Sequence, residues 1–389
     1  MAVEGPKAAG GLEIRSAAEL SDRIFHPGRT RPPEWPLPNP APDEVREELR
    51  VFTDGGKVVS VVGMTYREIV LLGTRHLACC YGGVCTDPEY RGRHLASQLL
   101  EDARAKALRD GADIVLISGG IGIYTRPGYC QVGDYSFCTV TRDRLAGGEG
   151  GPAVVLRAPA VEDLPALFNM SVAEPVRFMR TPEELLRCVT RTHVLNGQGE
   201  TLVVCPAHGS QPVAYLTCFF TGQMGYDKDP NAIQVVEAAG SRWAILRAMP
   251  ALLERRGLKS LELRYCGWDQ ETVAMVRGYG WPSRPFGFRG TVGIIDPAKF
   301  WDACARLFRE RLGPERFGKL HFEADGAVTV GYGAEEVVLA DMKAFTRLVM
   351  EHPARRHELE LGLAEGSELR RALDDLFPLP VVNYGLNYF

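Results

Sequence analysis

One stretch of this 389-residue chain constrains it more than any other: GGVCTDPEYRGRHLASQLLEDARAKAL, residues 82–108. A strand ending at Thr86 passes through a proline-containing turn into Arg91-Gly92-Arg93-His94-Leu95-Ala96, which opens a helix over 91–109. Leu95, Leu99, Ala103 and Ala107 recur at steps of four and give that helix one buried face. At such a junction the first helical N–H groups lack partners, the helix dipole points its positive end outward, and Gly92 permits close approach. The turn suits a phosphate or pyrophosphate; a solvated basic helix start is the alternative that local physics leaves open. The spacing is neither a Walker sequence, since GKS or GKT is missing, nor GxGxxG.

The length calls for two or three domains. With 45% apolar and 24% charged residues the composition is that of a soluble globular protein. Its 45 basic and 49 acidic residues give no reason to expect nucleic acid as a partner. Ten cysteines without a CxxC pair read as reduced and mostly buried, which fits a cytoplasmic protein. The eight histidines show no ligand spacing such as HExxH, so no metal is expected. No signal peptide is readable in residues 1–11, and no apolar run reaches the 18 residues that a membrane span needs.

Along the chain, LEIRSA (12–17) reads as a strand and 18–25 as a helix, followed by a loop at 26–42 with seven prolines. REELRVF, GGKVVSVVGMTYREIVLLG and HLACCYGGVCT then read as adjacent antiparallel strands, with turn signals at Asp54-Gly55-Gly56 and Gly73. DIVLI (113–117) is a central strand. After the linker-like LAGGEGGP the plan repeats: strand and acidic-capped helix at 154–167, a hairpin in TLVVCPAHGSQPVAYLTCFF, a helix at 243–256 and a strand at 258–265. From Thr291 a third unit has helices at 300–312 and 341–351 around KLHFEA and AVTVGY. A helix at 367–376 and the tail FPLPVVNYGLNYF complete it.

Residues 91–96 resemble the acyl-CoA signature of the GCN5-related N-acetyltransferases (GNAT), written as Arg or Gln, two residues, Gly, one residue, then Gly or Ala. Arg91 and Ala96 hold the outer positions, and His94 stands where that family most often has Gly. At the expected distance, Ile123-Tyr124-Thr125-Arg126-Pro127-Gly128-Tyr129 resembles the family's Phe-Tyr-x-x-x-Gly-Phe element. The resemblance implies acetyl-CoA as co-substrate, bound at the turn formed by Arg91, Gly92, Arg93, His94, Leu95 and Ala96. The backbone N–H groups of the last four would hold its pyrophosphate. Val84 and Thr86 would pair with the pantetheine arm, and Tyr124 would protonate the departing sulfur. A core tyrosine with its hydroxyl tied down is the bland alternative for Tyr124.

The layout resembles the three-part Eis-like (enhanced intracellular survival) acetyltransferases. That implies an α+β fold: tandem GNAT-like mixed-sheet domains at 1–145 and 153–290, followed by a sterol-carrier-protein-like α/β domain at 291–389. Gly240-Ser241-Arg242-Trp243 lacks the phosphate signature, so the central copy reads as structural. In such enzymes the terminal carboxylate, here that of Phe389, is the suggested base. VVNYGLNYF is apolar enough to dock and deliver it. The acceptor implied is a small-molecule amine (polyamine-like or aminoglycoside) or a peptide lysine, with Glu44, Glu47 and Glu48 as candidates to meet it. Homo-oligomers, commonly hexamers, are implied as well. An inactive CoA-binding regulator and a hydrophobic-ligand carrier of the same fold stay open as alternatives.

Overall fold

A computed structural model describes residues 3–25, 27, 47–141, 153–190, 193–194, 197–220, 233–288, 290–364 and 366–387. The first unit runs β1 (Glu4–Ala8), α1 (Leu12–Phe25), β2 (Glu47–Asp54), β3 (Lys57–Leu71), β4 (Thr74–Thr86), α2 (Leu95–Arg109), β5 (Ile114–Ile117) and α3 (Gly122–Thr125). Its sheet has the order β1-β2-β3-β4-β5, antiparallel except for the parallel β4–β5 pair that α2 bridges. Two-residue turns make both central hairpins. Gly55 and Gly56 (φ 59° and 81°) join β2 to β3, and Leu72 and Gly73 (φ 52° and 88°) join β3 to β4.

Two boundaries differ from the sequence reading. Residues 12–17, expected as a strand, lie in α1, because Ala17, Leu20 and Ile24 recur at helical spacing and pack as one face on β2 and β3. The edge strand is β1 instead. Residues 91–94, expected inside the long helix, form a turn, and the helix begins at Leu95.

The second unit contains β6 (Tyr135–Thr141), β7 (Val154–Arg157), α4 (Leu164–Ala173), β8 (Val176–Phe178), α5 (Pro182–Thr190), β9 (His193–Val194), β10 (Gly197–Pro206), β11 (Ala214–Phe220), β12 (Ile233–Gly240), α6 (Arg242–Arg255), β13 (Ser260–Cys266), α7 (Gln270–Gly278) and β14 (Ser283–Pro285). Its sheet order is β14-β6-β13-β12-β11-β10-β7. The parallel pair β12–β13, bridged by α6, repeats the β4–α2–β5 arrangement.

The third unit comprises β15 (Thr291–Ile294), α8 (Pro297–Leu312), α9 (Pro314–Phe317), β16 (Leu320–Asp325), β17 (Ala327–Tyr332), β18 (Glu335–Leu339), α10 (Met342–Met350) and α11 (Glu368–Leu376). KLHFEA and AVTVGY pair in the antiparallel sheet β16-β17-β18.

The units exchange strands across the boundaries expected at 145 and 290. β6 follows the first unit in sequence but lies beside β13 in the second sheet, whereas β15 returns to lie beside β5 in the first. β8 pairs with the far end of β3. The largest core cluster accordingly joins Ile69, Cys80, Ile114 and Leu116 of the first sheet to Phe300, Trp301, Phe308 and Phe345 of the third unit. Separating the units would expose that surface and leave two sheets short of a strand.

Candidate active site

β4 is paired along both edges only in its first half. β3 follows it to Thr86, but β5 runs beside it only from Ala78↔Ile114 to Tyr81↔Ile117. Just beyond, Gly83 and Val84 together oppose Val62, a bulge that Gly83 accommodates at φ 59°. The edge of residues 82–86 that faces away from β3 therefore has no strand partner among the described residues. The Asp87 N–H donates to the Val59 carbonyl of β3 at 2.8 Å, so by alternation along the strand the Thr86 backbone faces the unpaired edge, while its hydroxyl shares a 2.8 Å hydrogen bond with Ser60.

The turn after β4 is braced from two sides. Buried Asp87 accepts from Arg23 of α1 at 2.6 Å and from the Glu89 N–H at 3.2 Å. Tyr90 donates to Asp54 of β2 at 2.7 Å and carries the Arg93 guanidinium 4.9 Å above its ring. Residues 91–94 are exposed, with Gly92 at φ 79° and His94 at φ 59°. His94 thus adopts the left-handed conformation that glycine favours; histidine is among the side chains that enter it most readily. It caps α2 with its backbone only: no side chain among the described residues accepts from the helix start, and the first intrahelical donor is the Gln98 N–H, to the His94 carbonyl at 3.1 Å. The N–H groups of Leu95, Ala96 and Ser97 have no intrahelical acceptor, and Arg91 and Arg93 add positive charge at the same end. Ser97 was not singled out from sequence; the general rule for helix starts includes it once the start is known to be Leu95.

Tyr124 sits in the short helix α3, where its N–H donates to the Ile121 carbonyl and its own carbonyl accepts from Tyr129. Its ring is buried, 7% exposed, among residues of the α2-facing core that include Tyr81 and Tyr129. It lies directly against Gly119, where an added Cβ would fall 2.4 Å from the Tyr124 Cε2 atom. Gly119 is therefore part of the seat of Tyr124, a role that sequence spacing did not reveal.

The corresponding junction of the second unit is closed. Ser241 caps α6 by accepting from the Ala244 N–H at 3.2 Å. Glu174 accepts from the Gly240 N–H at 3.2 Å and from both terminal nitrogens of Arg242, at 2.7 and 2.5 Å. Asp269 takes the Arg242 Nε at 2.7 Å. A carboxylate thus sits beside this helix start, on the Gly240 N–H and the Arg242 side chain, and the local cation is paired twice.

The thiols offer no accessible nucleophile. All ten cysteines are buried and none is in a disulfide; burial pushes Cys80 and Cys85, on β4, up to about 12. Cys304, His76 and Asp113 do form an array, with His76 Nδ1 2.6 Å from Asp113 and Nε2 3.8 Å from the Cys304 sulfur. It is sealed between the first sheet and α8, and burial pushes the Cys304 thiol up to about 12, so it ties the units together. No group of three His, Cys, Asp or Glu side chains among the described residues is placed to hold a metal ion. No helix among them is long and apolar enough to cross a membrane.

The tail docks through Asn387. Val381, Val382, Tyr384, Leu386 and Asn387 are buried. Tyr135 donates to the Val381 carbonyl at 2.5 Å, and Asn383 bridges the Val236 carbonyl and Arg264. The Tyr384 ring lies 5.3 Å from that of Phe288 and 6.4 Å from that of Phe178. Phe389 lies outside the described residues, as do Glu44 and the side chain of Glu47. Glu48 pairs with Arg50 at 2.9 Å and Lys106 of α2 at 3.2 Å, so it braces the helix that follows the turn.

Residues 7–132 match the family described as the acetyltransferase (GNAT) domain. They contain the bulged strand, the open turn and Tyr124, and the first unit is a GNAT domain. The chain as a whole has an Eis-like fold. It aligns with Eis1 from Mycobacterium abscessus at a TM-score of 0.57 and 13% identity, covering 98% of each chain. A protein from Enterococcus faecalis V583, described as a probable N-acyltransferase, aligns at 0.66 and 13% identity over 98% of each chain. A GCN5-related N-acetyltransferase from Anabaena variabilis aligns at 0.62 and 13% identity, over 97% of this chain and 99% of the other. No curated protein matches the sequence.

Proposed function

We propose that the protein is an acetyl-CoA-dependent N-acetyltransferase with one active site, in the first unit. The observation that carries this reading is the contrast between two equivalent helix starts. That of α2 has no side-chain cap and is flanked by Arg91 and Arg93, while that of α6 is capped by Ser241, with Glu174 beside it on the Gly240 N–H and the Arg242 side chain. The pyrophosphate of acetyl-CoA fits the free N–H groups of Leu95, Ala96 and Ser97 beside Arg93 and His94, with Gly92 allowing close approach. The pantetheine arm fits the unpaired edge at Val84 and Thr86, which would complete the sheet there.

Transfer is direct. The neutral amine nitrogen attacks the thioester carbon, the C–S bond breaks, and the Tyr124 hydroxyl gives its proton to the departing sulfur. The terminal carboxylate of Phe389, directly or through a water, takes a proton from the acceptor ammonium beforehand, so that the nitrogen is neutral when it attacks; the second N–H proton, released as the amide forms, replaces the one that Tyr124 gave to the sulfur. A cysteine acyl-enzyme is disfavoured, because the Cys80 and Cys85 thiols stay protonated at neutral pH. Orientation and polarisation supply most of the rate. The acceptor is an amine of polyamine, aminoglycoside or peptide-lysine type. The interior of the third unit is packed by Trp301, Phe308, Phe322, Phe345 and Phe377, which favours the transferase over a hydrophobic-ligand carrier. Ten buried free thiols suit a cytoplasmic protein. Self-association, as hexamers built from trimers, belongs to the same reading, and a concentration-independent monomer in light scattering would remove it.

The test is thiol release from acetyl-CoA with spermidine, neomycin or a lysine peptide, with the acetylated product identified by mass. Release that depends on one of these amines is expected. Release at the same rate with and without every amine would overturn the assignment.

A further inference from the structure

The second unit has lost its phosphate site yet keeps a buried ion pair at the heart of its sheet. Arg180 and Glu237 meet in a bidentate pair, 2.7 and 2.9 Å, with the Arg180 side chain only 5% exposed. Each partner spends a further bond on the tail. Arg180 Nε donates to Asn387 Oδ1 at 2.7 Å, and the Leu386 N–H donates to Glu237 Oε2 at 2.8 Å. Tyr215 holds the other oxygen of Glu237 at 3.0 Å. Gly385 completes the fit: its φ is 50°, and a Cβ there would fall 2.1 Å from Glu237 Oε2.

This geometry is specific to the tail. A buried pair needs only its own two hydrogen bonds and a good fit, and apolar side chains often replace such pairs without loss of stability. Here the third nitrogen of the guanidinium and the second oxygen of the carboxylate are both turned to residues 386 and 387. The segment that carries Arg180 also touches the first sheet. Beyond β8 the chain runs antiparallel to β3, with the Met179 N–H donating to the Glu68 carbonyl at 2.9 Å and Arg67 paired with Glu184. A tail gripped at Arg180 is thereby held at a fixed offset from the sheet that carries the open turn.

We propose that Arg180 and Glu237 are positioning residues: the second unit serves as a clamp for residues 385–387 and so fixes the chain end for work in the first unit. The clamp itself stands on the contacts above, and its catalytic consequence rests on the reading of the Phe389 carboxylate as base. A proton acceptor at the chain end works only if it is placed to within the sub-ångström tolerance of a catalytic group, and residues 385–387 are the part of the tail that the clamp fixes.

The experiment uses the 389-residue chain and two variants. Gly385→Ala pushes the tail off Glu237 without unpairing a buried charge. Arg180→Met combined with Glu237→Gln removes both charges together. The first readout is release of Phe389 by carboxypeptidase A, which does not depend on activity; both variants should release it at least about tenfold faster. The second is steady-state kinetics with an amine that the wild type accepts. There kcat should fall about 100-fold, as for a catalytic group misplaced by an ångström, with the KM for acetyl-CoA within twofold. Unchanged Phe389 release in folded Gly385→Ala protein would overturn the clamp. Faster release with wild-type kcat would overturn its catalytic consequence, and a one-Gly extension that keeps wild-type turnover would assign that failure to the base reading instead. Loss in both kcat and acetyl-CoA KM would show a general structural role and also count against it.

Discussion

Gly119 and Tyr124 occupy one space: the Cα of the glycine faces the phenol ring so closely that a single added carbon would overlap Cε2. The ring is fixed from behind by a residue that carries no chemistry. Gly119→Ala should therefore act as a mild copy of Tyr124→Phe. Overpacking of this kind costs about 1–3 kcal/mol of stability. Tyr124→Phe should lower kcat by roughly 100-fold, the scale of general acid catalysis, and leave CoA affinity nearly intact. Gly119→Ala should lower kcat less, in the same direction. Stopped-flow or steady-state rates at saturating acetyl-CoA check both; normal turnover in Tyr124→Phe with impaired binding would remove Tyr124 from the chemistry.

The chain end gives the second prediction. One Gly added after Phe389 keeps its side chain but converts its carboxylate to an amide and moves the charge by about 3.5 Å. Turnover should fall close to that of a chain lacking Phe389, while CoA binding persists. A long C-terminal tag should be equally damaging and an N-terminal tag harmless. Wild-type turnover in the one-Gly extension would send the search for a base to a side-chain carboxylate or a water relay.

A third concerns acid. Burial works to raise the Glu237 carboxyl, but the charge of Arg180 and the hydrogen bonds from Arg180, Leu386 and Tyr215 outweigh it, so the carboxyl is held below its ordinary 4.5. Its contribution to stability is thus fully present above that value and is lost as pH falls through the lowered one. Wild type should lose stability below about pH 4.5 more steeply than the Arg180→Met, Glu237→Gln double variant. Denaturant midpoints across pH 3–7 would show it, and parallel curves for the two proteins would contradict it.

Much of the first unit was legible because its signals are local. A strand, one proline, Arg91-Gly92 and a four-residue apolar repeat in α2 each act within a few residues, and the structure joins them as their order suggested. The start of α1 was misread because LEIRSA carries strand and helix patterns over too short a window, and only packing of Ala17 and Leu20 on the sheet decides between them. The exchange of β6 and β15 leaves no local trace: each strand reads the same whichever sheet receives it. The same holds for the contacts that define the sites. Glu174 lies 66 residues before Gly240, and Glu237 lies 149 before Leu386, so neither the plug nor the clamp has a spacing to recognise. What sequence did supply was the apolar character of the tail, and Gly385 within it is the one visible mark of its seat.

On the proposed function, α2 offers the single acyl-CoA site of the chain and α6 offers none. Isothermal titration of CoA into the wild-type protein tests it most directly, repeated with Arg91→Glu at the open turn and with Glu174→Gln at the plugged one. One CoA per chain is expected for the wild type and for Glu174→Gln, with binding weakened by at least about tenfold in Arg91→Glu, where a cation beside the helix start is replaced by an anion. Two equivalent sites per chain in the wild type, or undiminished affinity in Arg91→Glu, would contradict it.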